Sequence, residues 1–168
     1  SNIISNVLKD IDSQKVLSLL NEPIDTLIDF LKKHKNYLNI RKSLVDVIIN
    51  DYIKEDLSSV NISFDSWYFE SELYKTGLLK QILIDLDNRN LSYKKDGALW
   101  FKNTKFGEEK DRVLVKSNGD MTYFATDIAY HAHKFKHYDL LIDIWGADHH
   151  DYAARLTNAM KALEYDVD

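Results

Sequence analysis

The sequence predicts an α/β fold in two textures, a helical segment over residues 1–60 followed by alternating strands and helices over residues 61–168. Three observations carry this. All five glycines (Gly77, Gly97, Gly107, Gly119, Gly146) follow residue 76, and the one proline is Pro23, so punctuation is concentrated in the second part. Apolar residues recur at helical spacing before residue 60 and at strand spacing from residue 62. Near the C-terminus, the apolar run Leu140–Trp145 ends in Gly146, with Asp148 placed to cap a following helix, which is the pattern of a βα unit.

In the first texture Ile4, Val7, Leu8 and Ile11 form one amphipathic stripe, Val16 to Leu20 a second and Ile24 to Leu31 a third. Asp12 and Ser13 stand where a cap belongs, and Pro23 sits where a first-turn proline starts a helix. A further helix is expected over about 41–56, its Val45, Val47, Ile48, Ile49, Tyr52 and Ile53 forming a wide stripe assigned to core packing. From Ile62 the pattern changes: Ile62, Phe64, Trp67 and Phe69 read as a strand, and Leu73 to Leu86 as a helix. Leu91–Tyr93, Ala98–Phe101 and Arg112–Lys116, separated by Asp96-Gly97 and by the charged 107–111 turn, read as a small antiparallel meander. A helix is expected over 124–135, and the capped helix runs from Asp148 to about Leu163.

Composition narrows the chemistry. With 45% hydrophobic residues over 168 positions the chain can bury a sizeable core, and its net charge of −5 lacks the positive field of a dedicated nucleic-acid binder. The absence of cysteine excludes a disulfide scaffold, a thiolate zinc site and a cysteine nucleophile. No apolar run reaches the roughly 18 residues of a membrane span, and no leader pattern is present, so the chain reads as soluble and cytoplasmic. It starts Ser1-Asn2 without a methionine, which suggests a piece of a longer protein.

A strand ending in Gly146-Ala147-Asp148 would place backbone N–H groups and a carboxylate at the sheet's carboxyl edge, where open α/β folds bind ligands and where a carboxylate suits a ribose hydroxyl pair. A bare turn glycine and N-cap aspartate would read the same way. His149 and His150 do not make a metal site, because adjacent histidines on a helix point about 100° apart; while neutral they can hydrogen-bond a polar or anionic ligand. Tyr123 and Asp127, four apart, share one face of a helix start and together offer a phenol and a carboxylate. Such a pair suits a guanidinium, although an exposed acid and a packed tyrosine would show the same spacing. Trp67, Trp100 and Trp145 read as core anchors, and the alternating charges around Lys102–Lys116 as a solvated hairpin.

Four strings, FDSWYFESEL (64–73), DGALWF (96–101), KDRVLVKSNGDMTYFATDIAYH (110–131) and WGADHHDY (145–152), give the chain a resemblance to the catalytic domain of bacterial-type arginyl-tRNA synthetases. The resemblance implies a class I, Rossmann-type α/β catalytic domain with a predominantly parallel sheet beside the small meander. It implies joining of arginine to ATP, with Mg2+ accompanying the nucleotide, and transfer of arginine to tRNA. It also implies that Tyr123 and Asp127 hold the substrate guanidinium, that His149 lies at the edge of the amino-acid pocket, and that Gly146, Asp148 and His150 face the ATP ribose. No protein nucleophile or structural metal is implied. Two positions depart from the family pattern, Asn118 where Asp is common and Asp151 where Gly is usual. The phosphate-binding signatures HIGH and KMSKS do not occur in the 168 residues, so the expectation is a portion of the catalytic domain that is inactive alone. A stand-alone arginine- or nucleotide-binding module is the alternative.

Overall fold

The structure, a computed structural model, describes residues 11–147 and 150–167, with the backbone alone at Ser13 and His150. The chain divides into two compact units, Ser1–Ser66 and Trp67–Asp168.

In the first unit every described element is helical. Helix α1 (Ser13–Leu19) is capped by Asp12, whose carboxylate accepts the Lys15 N–H at 3.0 Å, and Pro23 immediately precedes α2 (Ile24–Lys32). Helix α3 (Tyr37–Val47) passes through a π-helical turn (Ile48–Ile53) into α4 (Lys54–Ser59), one continuous helical run longer than the 41–56 expected. Each π turn inserts a residue into the helical repeat, so side chains beyond it rotate away from the face set before it. The apolar stripe is broken accordingly: Ile40 and Val47 are buried, but Ile48, Tyr52 and Ile53 are exposed rather than core. The expected helix at 4–11 falls almost wholly outside the described residues.

The second unit carries the candidate site. Residues 62–69 run as irregular chain rather than the expected strand. The expected 73–86 helix is two, α5 (Glu70–Lys75) and α6 (Leu78–Asn88), separated by Gly77 at φ 74°, a left-handed conformation in which other residues are strained. Strands β1 (Ser92–Lys95), β2 (Ala98–Phe101) and β3 (Arg112–Val115) form the antiparallel meander in the order β1-β2-β3, with Ser92 opposite Phe101 and Lys95 opposite Ala98. Asp96 (φ 52°) and Gly97 (φ 75°) turn the first hairpin. Between β2 and β3 a 3-10 turn (Asn103–Phe106) is held by Asp111, which accepts from the Thr104 N–H and hydroxyl and from the Tyr93 hydroxyl. Burial raises the pKa of Asp111, but those bonds and the Lys102 charge outweigh it and leave the carboxyl below its usual range.

Helix α7 (Tyr123–Phe135) packs on β3 and on α5 and α6, and α8 (His150–Ala162) packs on α7 and on the 3-10 turn. Ile82, Leu86, Phe101, Leu114, Ile128, Ala129, Leu156 and Met160 lie in one continuous core, with alanines at 125, 129, 132 and 159 letting backbones approach.

The most consequential difference lies at Leu140–Trp145. These residues form no strand: they are irregular chain without a ladder partner among the described residues, and Leu140, Ile142 and Ile144 are 76%, 76% and 92% exposed. A central parallel strand needs neighbours on both edges and cover on both faces, and no described residue supplies them. Among the described residues the sheet is therefore antiparallel throughout, and the predominantly parallel sheet is not seen. The three tryptophans are also not deep anchors, since Trp67 and Trp100 are half-buried and Trp145 is 39% exposed.

Candidate arginine- and nucleotide-recognition site

The site is organised by the start of α7. Thr122 precedes the helix in extended backbone, and its Oγ1 accepts the Ala125 N–H at 3.3 Å while donating to the carbonyls of Val113 (2.8 Å) and Leu114 (3.2 Å). Its own N–H reaches the Leu114 carbonyl at 3.0 Å. One residue thus fastens the first turn of α7 to β3, and Phe124, Ala125 and Ile128 bury the inner face. The outer face is left for Tyr123 and Asp127, one turn apart.

The two differ in setting. Tyr123 is 81% exposed and lines a cavity of about 760 Å³ whose walls include Glu70, Tyr74, Lys116, Asp120 and Met121. Burial, then the charges of Glu70 and Asp120, push the Tyr74 phenol up. The turn beneath it is held by Asn118, whose amide donates to Asp120 Oδ2 at 2.8 Å and whose Oδ1 accepts the Asp120 N–H at 3.0 Å. An aspartate at 118 would set carboxylate against carboxylate there, so the Asn118 departure suits Asp120.

Asp127 is half-buried and is not a wall of that cavity. Its Oδ2 accepts a hydrogen bond from the Tyr152 hydroxyl, which comes from the first turn of α8. Burial, then the bond to Asp127 and its charge, raise the Tyr152 phenol well above its ordinary value, against a smaller opposing effect of Arg155, so the phenol remains a donor. The acid therefore faces α8, at a tyrosine whose ring also meets Trp145. Gly146 itself is exposed and irregular. Asp148 and His149 lie outside the described residues, as does the His150 side chain, although His150 begins α8.

A second cluster supports the same region. His131 is buried; its Nδ1 donates to the Asp127 carbonyl at 2.9 Å, and its Nε2 lies 2.8 Å from Asp143 Oδ2. Lys134 donates to Asp143 Oδ1 at 2.8 Å and sits 5.1 Å from the centre of the Tyr130 ring. Asp143 is the one polar residue interrupting the Leu140–Trp145 run. Burial raises its pKa, yet the hydrogen bonds from Lys134 and His131 and their charges outweigh this and leave it lowered. Sequence reasoning passes over Glu70, Asp120, Tyr152, His131 and Asp143 as site residues. The polar interruption of an otherwise apolar run was the only signal for Asp143. The Tyr152–Asp127 bond spans 25 positions and leaves no periodic trace.

The capped helix α7 thus presents a phenol and a carboxylate and is tied through Tyr152 to the helix that follows Gly146, within an α/β unit. The family model described as tRNA synthetases class I (R), catalytic domain, matches residues 4–168, and the chain belongs to that family. Among similar curated proteins, an arginine–tRNA ligase of Legionella pneumophila (strain Corby) is 44% identical over 131 residues, covering 77% of this chain and 22% of its own. Another, from Nitrosomonas eutropha, is 38% identical over 164 residues, covering 96% of this chain and 28% of its own. The chain thus spans roughly a quarter of the length of these relatives. A crystal structure named as an arginyl-tRNA synthetase from Campylobacter jejuni superposes with a TM-score of 0.73 at 29% identity, covering 98% of this chain and 39% of that one.

Proposed function

We propose that this chain is the arginine- and ribose-recognition portion of an arginine–tRNA ligase, an enzyme that activates arginine with MgATP to arginyl-adenylate and transfers it to tRNA(Arg). The observation that supports this best is the seating of Asp127: a half-buried carboxylate one turn from Tyr123, with Oδ2 held by Tyr152 and Oδ1 without a partner among the described residues. A guanidinium presents N–H donors in a rigid planar fork, and a carboxylate preset by the protein meets it without first having to be ordered. Tyr123, Asp127 and His149 are assigned to arginine, and Gly146, Asp148 and His150 to the ATP ribose.

In this reading the arginine carboxylate attacks the α-phosphate and pyrophosphate leaves, so the protein supplies position and charge stabilisation rather than a nucleophile. Selection against neutral side chains follows from Asp127, which such a side chain would leave desolvated and unpaired. The same reading makes Leu140–Trp145 a strand of a predominantly parallel, Rossmann-type sheet, with neighbours from outside the described residues. Among those residues no helix is long and apolar enough to cross a membrane.

The test is Asp127→Asn in the full-length ligase that carries this domain, assayed by arginine-dependent pyrophosphate exchange. The KM for arginine rises far more than the KM for ATP. Equal changes in both would remove Asp127 from the amino-acid pocket and with it the assignment.

A further inference from the structure

We infer that Tyr152 is a positioning residue for amino-acid selection: its hydroxyl fixes the rotation of the Asp127 carboxylate, so that the carboxylate plane is offered to the substrate's guanidinium in one defined orientation. The inference rests on the arginine reading of Asp127 and extends it to a residue on the other helix.

The geometry has three parts. The Tyr152 hydroxyl donates to Asp127 Oδ2, which leaves Oδ1 and the outer lone pair of Oδ2 for the ligand. The tyrosine ring is itself held by neighbours, with the Phe124 ring edge-on at 6.4 Å and 78° and the Trp145 ring at 5.7 Å and 69°. Phe124 directly follows Tyr123 in the first turn of α7, and Trp145 directly precedes Gly146. The phenol therefore spans the two segments that bear the proposed arginine and ribose residues, and its direction depends on both.

An aspartate side chain alone turns about χ2 through a broad range, since that torsion has no sharp staggered wells. A guanidinium fork tolerates little of this rotation, because its parallel N–H bonds need the carboxylate plane aligned with its own. A donor fixed on one oxygen removes the freedom before the substrate arrives. Without it Asp127 still attracts a cation, but less directionally. Loss of the hydroxyl should therefore weaken arginine binding and also narrow the gap between arginine and a cationic analogue lacking the fork, such as lysine.

The experiment is Tyr152→Phe in the full-length ligase, with pyrophosphate exchange measured against arginine, ATP and lysine. Phenylalanine keeps the ring and both edge contacts and removes only the hydroxyl. The KM for arginine rises roughly tenfold, the KM for ATP and the kcat stay within about twofold, and the preference for arginine over lysine in kcat/KM falls. An unchanged arginine KM, or equal rises for arginine and ATP, overturns the inference, because a residue that merely packs would not divide its effect in this way. Asp127→Asn is run beside it: if that variant is also silent the arginine reading itself fails, whereas a strong Asp127→Asn with a silent Tyr152→Phe removes only the role of Tyr152. Should the phenylalanine variant not fold, p-aminophenylalanine at position 152 restores a donor, and an arginine KM near wild type is then expected. A KM as high as that of Asp127→Asn overturns the proposal.

Discussion

His131 Nε2 lies 2.8 Å from Asp143 Oδ2, joining the middle of α7 to the irregular segment that runs into Gly146. Lys134 takes the other oxygen of the same carboxylate. A carboxylate whose pKa is lowered on folding adds stability that is complete above its ordinary value near 4 and is lost as the pH falls through its lower folded value. The Asp143 side chain is 32% exposed, so solvent screening trims the effect to about 1 kcal/mol. Asp143→Asn is expected to lower the melting temperature of the chain by a few degrees at pH 7 and to leave a shallower loss of stability between pH 5 and pH 3 than in wild type, pH values of about the carboxylate range. Thermal melts across that interval check it, and parallel acid limbs for the two proteins would show that the carboxylate contributes no charge-dependent stability.

Tyr123 stands apart from its partner acid in being 81% exposed, so removal of its hydroxyl costs folding little. Under the proposed arginine assignment its effect falls on binding. Tyr123→Phe in the full-length ligase should raise the arginine KM about three- to tenfold, the range of one neutral hydrogen bond, with no change in melting temperature. A variant with lowered stability and unchanged KM would assign the phenol to the fold instead.

Gly77 separates α5 from α6 at φ 74°, and a Cβ there would meet no atom within 4 Å. The expected cost of Gly77→Ala is thus backbone strain without a clash, about 1–2 kcal/mol in urea unfolding. Asparagine tolerates the left-handed region better than alanine, so Gly77→Asn should cost less. Equal costs for the two would point to something other than φ.

Ile144, at 92% exposure, gives a direct check on the parallel-sheet reading. Ile144→Thr should leave the stability of the 168-residue chain within about 0.5 kcal/mol, as exposed substitutions do. In the full-length ligase the same change should cost about 1–3 kcal/mol if neighbouring strands cover the segment there. A harmless change in both settings would mean that the segment is not a buried strand.

These contrasts also show which features a sequence can disclose. The first hairpin could be read because Asp96-Gly97 encodes its own turn, and α7 because its apolar residues fall on one helical face. Both are local. The π turn after Val47 escaped because Ile48, Ile49, Tyr52 and Ile53 continue an apolar stripe that an unbroken helix would also show. Leu140–Trp145 has strand composition, yet a strand is a relationship between segments, and composition does not say whether a neighbour is present. The candidate site divides the same way. Tyr123 and Asp127 declare themselves by helical spacing, whereas Tyr152 and His131 matter through contacts that only the folded chain creates.

The threonine clasp at the head of α7 ties recognition to architecture. Because a single hydroxyl holds both that helix and the last ribbon of the meander, a change in the ribbon's tilt is inherited by whatever the helix displays. Alterations in the loop that ends at Asp111, for instance, are accordingly expected to shift Tyr123 and Asp127 without touching either.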